Sequence, residues 1–474
     1  MIVEPVGIIA FALGLIALFA ESGFIVYIFF GATLLGAAAA IILDNLGGTT
    51  IQPAHLLLGF LAAKLLGSRS VRVGALRAVS VGGPGLWLLI TTVYAVMTAY
   101  VMPRLFLGGT LAFAVRARGA NYATPLAPTT SNLTQSIYLI ADCACFLVLS
   151  GFGSSDAGRK CLGRAALTCV ILNLFFAALD LVTYATDTAD LMSAIRNSTY
   201  SILNDNQAAG FKRIVGSFAE ASSFSYWTLG YFAFASSLWL SGIATRLTMS
   251  LTALSFIVLL FSTSTTAYVG LAVYLLWQFI AIAFTFLFQP IRSQMVVFLI
   301  GLPAALALVV IMICLSDTSY AYVADLLNTL VLNKMSSDSG IERSSWNTQA
   351  IQNFLDTYGL GAGNGSVRAS SFPIALLASL GFLGSVTYGL FLLMMWFRRR
   401  PPAPLAIAAM QTAARSACLA WLIGATASGG FIDLGLPFFA FAALGCAGAL
   451  GSRTRPSTAP ADISYRHPVS AVRD

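Results

Sequence analysis

Charge is scarce in this sequence. Its 474 residues hold 26 lysines and arginines and 18 aspartates and glutamates, 9% in all, where a soluble chain carries about 25%. So few charges cannot coat a water-facing surface, which excludes an ordinary soluble domain and makes lipid the expected solvent. Histidine is scarcer still. His55 and His467 are the only two, too few for a histidine-based metal centre. The seven cysteines, Cys143, Cys145, Cys161, Cys169, Cys314, Cys418 and Cys446, fall in or beside apolar runs. None forms a paired CxxC pattern, so neither a zinc site nor a disulfide framework is expected. The N-terminal segment has no basic region and no A-x-A site, and a cleaved leader is not expected. A net charge of +8 invites a nucleic-acid reading, but most Lys and Arg sit in short loops between apolar runs, where they orient a membrane protein.

Apolar sequence fills the rest: 58% of residues are hydrophobic and mean hydropathy is +0.84. A spanning helix needs about 20 mostly apolar residues. Such runs lie near 4–20, 24–43, 84–104, 134–152, 165–186, 226–244, 247–265, 267–288, 295–315, 373–397, 413–430 and 436–451. The expected fold is all-α, a polytopic transmembrane bundle of about twelve spans over 1–451. The shorter stretch 54–67 is either a thirteenth span or an interfacial helix. Basic clusters at Arg69/Arg72/Arg77, Arg159/Lys160/Arg164, Arg246, Arg292, Arg398–Arg400 and Arg453/Arg455 fall in alternate loops, as one cytoplasmic side requires. The C-terminus is then inside. The N-terminus is inside if 54–67 does not span and outside if it does. Loops 105–133, 187–225 and 316–372 fall outside. Within them, 187–203 and 341–356 have helically spaced apolar residues and read as amphipathic helices on the outer surface. The polar tail 452–474 is expected to be disordered and cytoplasmic.

Single charges inside apolar runs, here Asp142, Asp180 and Arg415, mark either function or a paired structural site. The outer loops are richer. The first ends GFKRIVGSFAEASSFSYW, supplying Lys212, Arg213 and Glu220. The large one carries Glu342, Arg343 and Trp346, then NFLDTYGLGAGNGSVRASSF with Gly359, Gly361, Gly363, Asn364, Gly365 and Arg368. Arginine forks match the acceptor oxygens of a diphosphate and stay charged at any working pH. Closely spaced glycines let backbone N–H groups approach an anion, or simply make a turn between helices. Their spacing is wrong for a dinucleotide fingerprint. Glu220 fits a general base or a salt bridge to Lys212 or Arg213; Asp356 is a second candidate. Trp346, Tyr358, Tyr226 and Trp227 could stack on sugars or anchor at the interface.

These stretches together resemble the O-antigen polymerase and ligase superfamily, the Wzy-type polymerases and WaaL-type ligases. GSFAEASSFSYW is similar to the family's Glu-Pro-Ser-Phe-like element, with Ala221 where proline is frequent. LLFSTSTTAYVGL is similar to its Ser-rich turn and lacks the arginine often found there. ERSSWNTQAIQNFLDTYGLGAGNGSVRASS, followed by LLASLGFLGSVTYGLFLL, resembles its arginine, amphipathic helix, Gly-x-Gly loop and glycine-bearing span. Arg343 and Gly359 have fifteen residues between them, as in the family's Arg-x15-Gly pattern; Arg213 and Gly230 have sixteen. The resemblance covers mainly 200–400. It implies an inner-membrane polymerase with a periplasmic active site, an undecaprenyl-diphosphate-linked oligosaccharide donor and neither metal nor nucleotide cofactor. Arg213, Arg343 and Arg368 would hold the diphosphate, with Lys212, Gly361, Gly363, Asn364 and Trp346 also binding substrate. The product would be O-antigen, capsule or exopolysaccharide, and partners would include the growing polysaccharide, a chain-length regulator and export machinery. Ligases usually carry a histidine in the large loop; 316–372 has none, which favours polymerase. A lipid-linked-sugar flippase is the rival from another class, but no internal repeat stands out.

Overall fold

The computed structural model describes residues 1–43, 49–113, 122–198, 207–208, 211–288, 292–315, 320–321, 338–398 and 402–448. The tail 452–474, residues 199–206 in the first loop and 322–337 in the large one, for which expectations were stated above, lie outside the described residues.

The protein is mostly helical. In chain order the helices are α1 (Pro5–Phe19), α2 (Ser22–Ala32), α3 (Pro53–Leu66), α4 (Arg69–Ala78), α5 (Pro84–Leu105), α6 (Thr130–Phe152), α7 (Asp156–Ala185), α8 (Ala221–Leu240), α9 (Thr245–Phe261), α10 (Thr265–Phe288), α11 (Ser293–Cys314), α12 (Asp338–Asp356), α13 (Phe372–Phe397), α14 (Leu405–Ser428) and α15 (Leu436–Cys446). Among the described residues, seven are long and apolar enough to cross a membrane: α5, α6, α7, α10, α11, α13 and α14. The chain is a membrane protein on that evidence. The run at 24–43 does not stay helical, because α2 stops at Ala32 and strand β2 (Ile41–Leu43) begins nine residues later.

Proline opens α1, α3, α5, α13 and α15 at the first helical positions, where its missing N–H is not needed. The centre is α8, packed against α7, α9, α10 and α14. Its Gly230 leaves room for the indole of Trp421 in α14. That fully buried ring meets Trp227, Tyr231 and Phe441 edge-on and Phe438 at a tilt, contacts that add to plain burial. By contrast α11 buries none of its apolar window, as a lipid-facing helix would.

Three short antiparallel pairings close one end of the bundle. β1 (Ile2–Val3), β2 and β3 (Thr49–Ile51) form a sheet in that order, with Ile2 opposite Ile42 and Ile42 opposite Thr50. β4 (Leu111–Ala112) pairs with β5 (Thr124–Pro125), and β6 (Gln207–Ala208) with β7 (Phe211–Lys212). The sheet brings the starts of α1 and α3 to the same end, so the two run parallel. Asn197 joins this end by bonding Ala39, and Ser217 by donating to the Leu34 carbonyl at 2.6 Å. We call it the loop end.

Arginines gather at the opposite end and bond exposed carbonyls. Arg72 donates to Leu66 and Gly67, and Arg398 to Gly82. Arg415, which sequence flagged as an intramembrane charge, donates to Gly445, Trp396 and Arg398 carbonyls. Those oxygens close α15 and α13, where the helix dipole is negative and final carbonyls lack partners.

Candidate functional site

The first loop is held by Asp180, wholly buried at the loop end of α7. Its Oδ1 accepts from Arg196 and from Lys212, both at 2.7 Å. Its Oδ2 accepts from the backbone N–H of Val215 at 2.8 Å and Gly216 at 3.1 Å. Arg196 also donates to the Gly216 carbonyl. Two cations and two backbone donors thus satisfy one buried carboxylate, as burial demands. The same contacts explain why 187–198, the described part of 187–203, does not form the expected amphipathic helix. Only a 3-10 segment, Ala189–Ile195, forms before Arg196 turns in to Asp180. Lys212 is fixed there by Asp180 and does not join the arginines described next.

Arg213 follows Lys212 but is not among the partners of Asp180. It is half-buried, forms no ion pair among the described residues, and its Nε has no hydrogen-bond partner. Burial lowers its pKa, Glu220 and Tyr268 raise it, and Arg343 lowers it. Arg213 is therefore within charge reach of a carboxylate seven residues on and of an arginine from the large loop. Glu220 caps the N-terminus of α8 and accepts hydrogen bonds from Ser222 and Ser223.

Arg343 lies on α12, the helix expected over 341–356 and found from Asp338 to Asp356. This helix docks on the protein. Asn353 and Gln349 donate to the Leu111 carbonyl in β4, and Thr110 donates to Asp356. Asn347 accepts from the Ser370 N–H at 2.8 Å. The guanidinium of Arg368 sits 3.6 Å above the ring centre of Trp346, a cation–π contact that covers one face of that indole. Burial lowers the pKa of Arg368, Glu342 raises it, Arg343 lowers it and Glu220 raises it. Arg213, Arg343, Arg368 and Glu220 therefore form one charged cluster built from both loops.

The glycine run is placed differently from the anion cradle its spacing suggested. Gly359, Gly361, Gly363 and Gly365 all have positive φ, as does Gly381 inside α13. At Gly381 the helix breaks, and its freed groups pair with the run instead. Ala362 donates to Ala378 at 2.7 Å, Gly363 to Ser379 at 3.0 Å, and Phe382 to Gly359 at 2.9 Å. The Gly361 N–H goes to Thr357 Oγ1. A broken membrane helix must have its backbone groups satisfied from nearby protein, and the glycine strap does this. The N–H groups of Gly361 and Gly363 are thus used within the protein, and Asn364 is buried with its carbonyl bonded by Asn132.

Three groups near the loop end were not among the site residues expected from sequence. Tyr268, in the first turn of α10, lies within charge reach of Arg213. Asp433, between α14 and α15, lies within hydrogen-bonding reach of Asp142 on α6. His55, at the start of α3, lies within charge reach of Asp433. Only the polar turn LLFSTSTTAYVGL and the glycine-flanked acid in SGGFIDLGL signalled them. Comparison with family models, curated proteins and solved structures returned no match to this chain.

Proposed function

We propose that this protein joins lipid-diphosphate-linked oligosaccharides into a polysaccharide at the outer face of a bacterial inner membrane. The observation that carries the reading is the cluster of Arg213, Arg343 and Arg368 around Glu220, with none of the three arginines ion-paired among the described residues. Three guanidinium groups against two carboxylates, Glu220 and Glu342, leave the cluster net positive, and on a low-charge protein this suits a concentrated anion. A diphosphate leaving group on an undecaprenyl carrier is such an anion, and the apolar bundle suits its lipid tail.

In this reading an acceptor sugar hydroxyl attacks the anomeric carbon of the donor. The new C–O bond forms as the bond to the diphosphate breaks. Glu220 takes the hydroxyl proton, and the arginines hold the departing diphosphate as its charge develops. Trp346 positions Arg368. Lys212 is left out of the clamp, since its ammonium already serves Asp180. The five shorter apolar helices and α8 would complete a bundle of thirteen crossings.

Polymerase is preferred to ligase because the large loop has no histidine, and His55 lies by Asp433. The test is reconstitution of the purified protein with a lipid-diphosphate oligosaccharide. A ladder of lengthened products is expected. Transfer to lipid A core without a ladder would indicate a ligase, and movement across the bilayer without new bonds a flippase.

A further inference from the structure

Asp142 is 1% exposed, and its Oδ2 is buried without a hydrogen-bond donor. Another carboxyl, that of Asp433, lies within hydrogen-bonding reach. Two ionised carboxylates cannot bond each other, because neither has a proton to donate. In an apolar interior their repulsion is also poorly screened. A second buried atom points the same way: the Nδ1 of His55 has no partner either, and His55 lies within charge reach of Asp433. The described groups facing the pair are His55 from α3, Cys143 and Cys145 from α6, Tyr226 from α8 and Tyr388 from α13. None of these carries a fixed positive charge.

We propose that Asp142, facing Asp433, is a proton-binding site inside the bundle, holding one proton at neutral pH and exchanging it from the loop end past His55. The route follows from exposure, since His55 and Asp433 are each partly exposed while Asp142 is sealed. Asp433 is also held in place, because its Oδ1 accepts from the Gly435 N–H at 2.6 Å. The site has a mechanical consequence. The segment carrying Asp433 packs at Gly430 against the Ala369 carbonyl, next to Arg368. With the proton bound, the segment is tied to α6; with it lost, two like charges part and the support beneath Arg368 loosens. The proton site does not depend on the glycan reading.

The experiment is infrared spectroscopy of the full-length protein in lipid at neutral pH, read in the carbonyl stretch of protonated carboxyls. A band is expected in the wild type; it is expected to vanish in Asp142→Asn and to shift in Asp433→Asn, where the carboxyl facing Asp142 is replaced by an amide. No band at neutral pH, or the same band in both variants, would overturn the proposal. Should one variant fail to fold, the other decides together with a pH series of wild-type unfolding. The folded state binds a proton that the unfolded chain has already released at neutral pH. Wild-type Tm is therefore expected to fall as pH rises from neutral to alkaline, in step with loss of the band. A Tm independent of pH over that range would contradict the site.

Discussion

At the scale of single residues, Arg213 and Lys212 show how neighbours divide. Both are basic and adjacent in the sequence, yet Asp180 captures the lysine and leaves the arginine with a free Nε. A hydrogen bond to a charged group contributes about 1.5–3 kcal/mol, roughly tenfold or more in affinity per residue. Arg213→Ala and Arg343→Ala are each expected to weaken binding of a lipid diphosphate by at least about tenfold, measured by titration in lipid nanodiscs. Glu220→Gln keeps the size of the side chain and removes its basicity. It is expected to slow turnover by about 100-fold or more while leaving donor affinity unchanged, checked by kinetics with the purified lipid-linked repeat. The arginines and Glu220 were legible in sequence because they stand out in charge-poor loops. The fate of Lys212 was not, since Asp180 lies more than thirty residues earlier and only folding brings them together.

At the scale of elements, the exchange of hydrogen bonds between the 359–363 strap and the break at Gly381 is the main local device. A Cβ at Gly363 would lie 2.6 Å from the Thr98 carbonyl oxygen, and one at Gly361 would lie 2.5 Å from the Gly381 nitrogen. Both positions also have positive φ. Alanine at either is expected to cost more than about 1 kcal/mol, visible as a lower Tm. Gly389→Ala, where nothing lies within 4 Å, is expected to be neutral in the same assay. The sequence showed the glycines but left two roles open, anion nest and turn. Deciding between them required the partner helix, because a glycine run looks alike whether its N–H groups face solvent or a broken span. The helix over 341–356 was legible from its periodicity. Within 187–198, the described part of 187–203, the expected helix does not form, because the pull of Asp180 on Arg196 outweighs a weak local pattern.

At the scale of the whole molecule, the low charge content and apolar runs made a helical membrane protein readable from composition alone, and seven long apolar helices agree. Span counting was less secure. The short α1, α2 and α3 are stitched at one end by a small sheet, which hydropathy does not register. The sheet also makes α1 and α3 parallel, so residues 2–3 share an end with both arginine loops. Basic side chains close the other end through carbonyl contacts. This polarity is what the positive-inside pattern leads one to expect of a bundle with one cytoplasmic side.

The account rests on arginines from separate loops meeting at one exoplasmic site. The direct measurement uses Arg213→Cys and Arg343→Cys together, in a protein otherwise free of cysteine, within sealed spheroplasts treated with a short membrane-impermeant bis-maleimide. The expected result is an intramolecular cross-link formed from outside, absent in either single variant. Labelling of one position from outside and the other only after permeabilisation would contradict the account, as would labelling of both without a cross-link.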